Sequence, residues 1–234
     1  MTLHAIDYGN TRIEFELTYS ARKTLGIAVH QDEGVVVTAP EGSALDDIKA
    51  LVHKRGGWIL RQQQELDRYP HTSPPREYVS GETYTYLGRR YRLKVYESPK
   101  DIVKPMRGWL RVYAQDSDPA RIKRLVEAWY HRQAKRVFAA RLQSCYLRAK
   151  HLDISYPELS VRRMKNRWGS CPGPGRMLLN VRLVQAPPEC IDYVILHELC
   201  HLVEANHGPR FETLMDRLLP DWRERREKLN TFEF

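Results

Sequence analysis

The stretch HELCHLVEANH, residues 197–207, restricts this chain more than any other. It sets three histidines and two glutamates among apolar residues, and such groups share a protein interior only if something satisfies them together. On a helix, residues four apart lie on one face, one turn apart. His197 and His201 can therefore offer two imidazole nitrogens to one cation at about 2.0–2.1 Å. Glu198 then stands beside that cation, placed to reach a water molecule rather than the ion. With nine histidines in 234 residues, accident predicts only ~0.02–0.03 matches to H-E-x-x-H per chain. The residues read as a metal site.

His207 supplies the third ligand in this reading. The chain is expected to leave its helix at ANHGP, because Asn206 and Gly208 tolerate left-handed backbone and Pro209 cannot continue a helix. Such a turn swings His207 back over the ion and leaves a fourth position for water, as catalytic zinc requires. One Zn2+ per chain is expected, and the same ligands also suit other divalent ions. Glu204, on the motif helix, and Glu212, on the next one, are candidates to orient an imidazole N–H, and Glu212 is the alternative third ligand. Arg167, Ser170 and Tyr193 are candidates to bind a developing oxyanion or substrate. Cys145, Cys171, Cys190 and Cys200 form no C-x-x-C pair and read as reduced, mostly buried thiols. Cys171 and Cys200, near the motif, are the two that could join the metal or serve as a redox handle.

Elsewhere the pattern predicts an α+β chain. Residues 11–20 alternate as a strand, and 24–40 read as a hairpin around DEG, ended by Pro40. A helix is expected over 43–66, capped by Ser43 and broken or kinked at Gly56–Gly57. A proline-rich loop at 69–77 precedes a hairpin around Gly88 and a strand over 108–115. A long helical region at 116–152 starts from Asp118 and Pro119, with Leu125, Trp129, Val137 and Phe138 at core spacing. ELSVRRMKNRWGSC and RMLLNVRLVQAP then read as two strands, with LLNVRLV the natural edge for an extended peptide. Two helices follow, the second amphipathic through Phe211, Leu214, Met215, Leu218 and Leu219 and ended by Pro220. No internal repeat or low-complexity tract is visible. The change of character near residue 116 divides a β-rich part, 1–115, from an α+β part, 116–234.

The sequence RRMKNRWGSC, followed by LLNVRLVQAPPECIDYVILHELCHLVEANHGPRF, resembles the YgjP-like metallopeptidases, which are similar to the SprT-like and WLM zinc proteases of the zincin class. The resemblance is strongest over 160–222 and extends to the RGGWI and YLGRRYRLKV segments. It implies a zincin-like C-terminal domain with an active-site helix, His197, His201 and His207 as zinc ligands, and Glu198 as the catalytic carboxylate. The spacing also follows the metzincin motif except that Glu204 replaces its glycine, and no Met-turn follows.

The expectation is a zinc-dependent hydrolase, foremost a peptidase acting on a peptide or protein. A metal-stabilised binding module accessory to nucleic-acid processing, or a hydrolase of a non-peptide amide, would share these residues. A formal charge of +9 is compatible with nucleic acid, although Lys and Arg are spread along the chain. With no signal-like N-terminus and no long apolar run, the chain reads as cytoplasmic, with no membrane partner.

Overall fold

Alternating apolar residues build the first sheet. In β2 (Thr11–Ser20) Ile13, Phe15 and Leu17 are buried, and in β4 (Gly34–Pro40) Val35, Val37 and Ala39. Successive side chains of a strand point to opposite faces, so each set shares one side. β1 (Thr2–Tyr8) and β3 (Gly26–His30) complete the order β1-β2-β4-β3. The outer pairs are antiparallel and the central pair is parallel, with Phe15 beside Val35 and Leu17 beside Val37. Ile48 and Val52 from α1 (Leu45–Lys54) and Ile59 from α2 (Gly56–Asp67) close this core. The computed structural model describes residues 2–9, 11–22, 24–30, 34–67, 76–164, 167–173 and 175–231. Most of the loop expected at 69–77 lies outside them.

The β3–β4 hairpin is present as expected, whereas β1 carries no alternation strong enough to announce it. Ser43 does not cap α1. Its N–H bonds to Pro40 O at 3.2 Å in the preceding turn, and Ala44 is the N-cap, with no side-chain bond. The interruption expected at Gly56–Gly57 is real and falls at Arg55, just before them, while packing demands the glycine at 56. A Cβ on Gly56 would lie 2.3 Å from Cδ2 of Tyr8.

The second sheet repeats the first. β5 (Thr83–Tyr86), β6 (Arg89–Glu97), β7 (Ile102–Met106) and β8 (Trp109–Ala114) lie in the order β5-β6-β8-β7. The pairing senses are the same: antiparallel, parallel, antiparallel. In both sheets the fourth strand leads to a helix whose buried face begins with near-identical residues, IKALV at 48–52 and IKRLV at 122–126. The apparent absence of a repeat is thus corrected: the topology recurs while most of the sequence has diverged. The hairpin at Gly88 is as expected, with Leu87 and Gly88 at φ 49° and 76°, a turn that fits the twist of paired strands. β7, unanticipated, tolerates Pro105 because it is an edge strand.

α3 (Pro119–Ala149) starts as expected, with the Asp118 carboxylate accepting from the N–H groups of Ala120 and Arg121. Ile122, Val126, Trp129, Ala134, Phe138, Leu142 and Cys145 bury one stripe of it, while Leu125 and Val137 are half-buried. The first of the two C-terminal strands expected is in fact two, β9 (Glu158–Arg162) and β10 (Gly169–Gly173), and the other is β11 (Arg176–Asn180). Their order is β10-β11-β9, so LLNVRLV is not an edge. β11 pairs on both sides and ends at Asn180, and Val181–Gln185 turn as a 3-10 helix. The edge strands are β10 and β9.

α4 (Pro188–His201), α5 (Pro209–Leu218) and α6 (Trp222–Asn230) follow, and α6 was not foreseen. α4 is buried on almost every side, packing against α3, β10, α5 and α6. Arg141 of α3 grips Asp192 of α4 with two bonds of 2.7 and 2.6 Å. The chain divides into two compact units, Met1–Thr72 and Ser73–Phe234. The change of character at residue 116 falls inside the second unit, between its four-stranded sheet and α3. No helix among the described residues is long and apolar enough to cross a membrane.

The Tyr8 contact reverses an ordinary rule. In an exposed helix Gly→Ala stabilises by about 1 kcal/mol. Gly56→Ala is expected to destabilise the protein by about 1–2 kcal/mol through overpacking, read as a lower denaturant midpoint. Adding Tyr8→Ala should relieve the Gly56→Ala clash, making the pair less costly than the two single changes summed.

Candidate metal centre

Two turns of α4 and one reversal of the chain assemble the site. His197 and His201 lie one turn apart at the end of α4, as H-E-x-x-H requires. The helix stops there, earlier than the expected ANHGP, with Leu202 as C-cap and Glu204 N–H bonding to Cys200 O at 2.8 Å. Glu204 is therefore off the helix. Neither Asn206 nor Gly208 takes a positive φ; Gly208, at φ −93°, is extended and caps α5. The segment still returns His207 to the helix end.

The Nε2 atoms of His197, His201 and His207 are 3.1 Å apart in all three pairs. The partner of His201 Nδ1 fixes what that ring presents. Nδ1 lies 3.1 Å from the backbone oxygen of Glu204, which can only accept, so Nδ1 carries a proton and Nε2 is the nitrogen turned to the other two rings. Burial, with His201 and His207 nearby, lowers the pKa of His197 to about 3, and burial also lowers that of His207. Three Nε2 atoms that meet at one point cannot all hydrogen-bond to one another. A cation satisfies them: a triangle of this size has a point ~2 Å from each corner, matching Zn–N bonds of about 2.0–2.1 Å. The three histidines are the metal-capable group found among the described residues.

Phe211 of α5 backs all three imidazoles, with ring centroids 4.9, 4.7 and 4.8 Å away. In the sequence it looked like one more residue of an amphipathic stripe. His197 Nδ1 is buried without a protein partner, so packing against Phe211 and Tyr193 orients that ring.

Glu198 is only 6% exposed. Its carboxylate occupies the space that a side chain at position 169 would fill, since a Cβ on Gly169 of β10 would lie 2.6 Å from Oε1. Burial raises its pKa to about 7, against the lowering effect of the Cys171 thiol and the Arg167 guanidinium. Cys171 donates to the backbone oxygen of Glu198 at 3.2 Å. Cys200 lies against Met215 sulfur. Burial raises both thiols to about 12.

The remaining candidates are distributed as follows. Arg167 Nη1 lies 3.5 Å from Ser170 Oγ, on the β10 side of Glu198. Tyr193 meets the His197 ring edge-on and stacks on Trp222. Glu204 orients His201, though through its backbone carbonyl rather than its carboxylate, which accepts from Asn206 N–H. Glu212 is not brought to the histidines by any contact and pairs instead with Arg223 at 3.2 Å. Sequence reasoning missed Gly169 and Asn180. The buried Asn180 amide donates to the carbonyls of Met164 and Arg167 at 2.8 and 3.0 Å and its oxygen accepts from Arg182 N–H, pinning the approach to β10. Its only signal was a polar residue inside LLNVRL.

No curated protein matches the chain. The family model of the YgjP-like metallopeptidase domain matches residues 23–232, from the first sheet through α6. The chain belongs to the YgjP-like metallopeptidase family.

Proposed function

We propose that this chain is a zinc-dependent peptidase whose metal is held by His197, His201 and His207 and whose general base is Glu198. The observation that carries this reading is the convergence of three Nε2 atoms beside a buried carboxylate. A divalent ion held there supplies a Lewis acid that acidifies water and polarises a carbonyl. Glu198 accepts the proton at its carboxylate, and its raised basicity suits it to pass that proton to a departing amine. In this reading Arg167 and Ser170, 3.5 Å apart on the β10 side, are the candidate donors to a developing oxyanion. The free edge of β10 offers backbone groups with which an extended peptide can pair.

A structural metal is closed by four protein ligands. Here Cys171 is turned to a backbone carbonyl and Glu212 to Arg223, which favours an open fourth position and hence catalysis over a purely binding role.

Elemental analysis should find about one metal per chain, and His207→Ala should lose most of it. Glu198→Gln should keep the metal while hydrolysis of an unfolded protein substrate falls by roughly 10²–10⁴-fold. Metal without turnover in the wild type would support the binding-module reading, and no stoichiometric metal would remove the basis of the proposal. Gly169→Ala displaces the Glu198 carboxylate without touching a histidine. It should retain metal and lower kcat by about 10-fold or more, the scale of a misplaced catalytic group.

A further inference from the structure

The outward face of the sheet β5-β6-β8-β7 carries a pattern that neither its fold nor the metal centre requires. The inward positions of these strands, including Tyr84, Leu93, Leu110 and Val112, join the core beside α3. The other parity faces away, and its register lays out three rows. Arg92 pairs with Trp109 and Trp109 with Met106; Lys94 pairs with Arg111 and Arg111 with Lys104; Tyr96 pairs with Tyr113 and Tyr113 with Ile102. A row of three cations thus runs between two rows that hold aromatic rings. No Asp or Glu occupies this parity on any of the four strands.

These cations have no acidic partners among the described residues; they rest against the rings. Lys94 lies 5.3 Å from the Tyr96 ring and 5.5 Å from that of Trp109, Lys104 5.3 Å from Tyr113, and Arg92 5.9 Å from Trp109. Arg111, 6.0 Å from Tyr96, has a buried Nε without a hydrogen-bond partner. Tyr96 and Tyr113 stack at 5.1 Å, and neither they nor Trp109 belong to the core cluster. The first sheet provides an internal comparison. Its equivalent face, with the same topology, carries Asp7, Arg12, Glu14 and Glu16 and no Phe, Trp or Tyr. The pattern is therefore not a by-product of this architecture.

The geometry points to this face as a platform for single-stranded nucleic acid, with bases on Trp109, Tyr96 and Tyr113 and phosphates on Arg92, Lys94, Lys104 and Arg111. Charge complementarity selects a polyanion, and the rings select unpaired bases, because a duplex keeps its base faces stacked inside and would use only the cations. A base stacking on a ring displaces the cation now resting over it, and that cation is freed to meet the adjacent phosphate. The face lies on the side of the sheet away from α3, so it is separate from the histidine centre and independent of the peptidase reading.

The test is equilibrium binding by the full-length protein of fluorescein-labelled oligo(dT), oligo(rU) and a mixed-sequence DNA duplex of equal length, followed by fluorescence anisotropy across a salt series. At least one single strand should bind tenfold or more tightly than the duplex, and the better of the two identifies the sugar preferred. Trp109→Ala and, separately, Tyr96→Ser should each weaken single-strand binding by about fivefold or more, and Trp109→Tyr should recover most of the affinity that Trp109→Ala removes. Lys94→Gln with Lys104→Gln should flatten the dependence of log K on log salt by about 1.4, at ~0.7 for each phosphate no longer neutralised. Arg12→Gln with Lys54→Gln, which removes the same charge from the first unit, should leave that slope unchanged. Circular dichroism and melting temperature check that each variant is folded. Equal affinity for duplex and single strand, insensitivity to all the face variants, an equal effect of the control pair, or no binding at low salt would each overturn the assignment.

Discussion

A helix buried on nearly all sides has to carry polar groups to a single point, and the architecture of the second unit answers that requirement. α4 is enclosed by α3, β10, α5 and α6, and its apolar residues supply much of the core. Two imidazoles and a carboxylate in such a place are costly unless they meet a common partner. Each neighbour of α4 contributes to that meeting. The hairpin edge at Gly169 makes room for Glu198, α5 sets Phe211 behind the three rings, and the chain reversal after Leu202 turns a backbone carbonyl onto His201. Arg141 fixes the helix from the other side through Asp192.

The two four-stranded sheets show how one topology can be put to different uses. Both keep the strand order, the pairing senses and the following helix with its Ile-Lys-x-Leu-Val start. They share what a core needs, and they differ on the faces turned away from it. One bears mixed charge, the other cations and rings. Inward positions are held by packing density, where one methylene is felt, while outward positions change at little cost to stability.

Short-range chemistry was legible in the sequence. The H-E-x-x-H spacing, the Asp118–Pro119 helix start and the Leu87–Gly88 turn each involve neighbours within a few residues, and the structure has all three. What could not be read depends on distant partners. β11 looks like an edge until β9, some twenty residues earlier, is known to pair with it. Gly169 looks like any turn glycine until Glu198 is found against it. Glu204 drew attention for its carboxylate, yet its contribution is a carbonyl that any residue there would provide. The repeated sheet was hidden because alternation records only which side is inward, and the outward sides have diverged.

His207 differs from its two companions in one respect. His197 and His201 ride on a helix already rigid, whereas His207 is exposed and sits on the short stretch between Leu202 and Gly208, held by few backbone bonds. The entropy of closing that stretch is part of the free energy of any ligand drawn to all three rings. Affinity at this centre is consequently adjustable by residues that never touch the ligand. Stiffening the 202–208 segment would raise it and lengthening the segment would lower it, so loop composition can tune the retention of any ion drawn to the three histidines while they stay as they are.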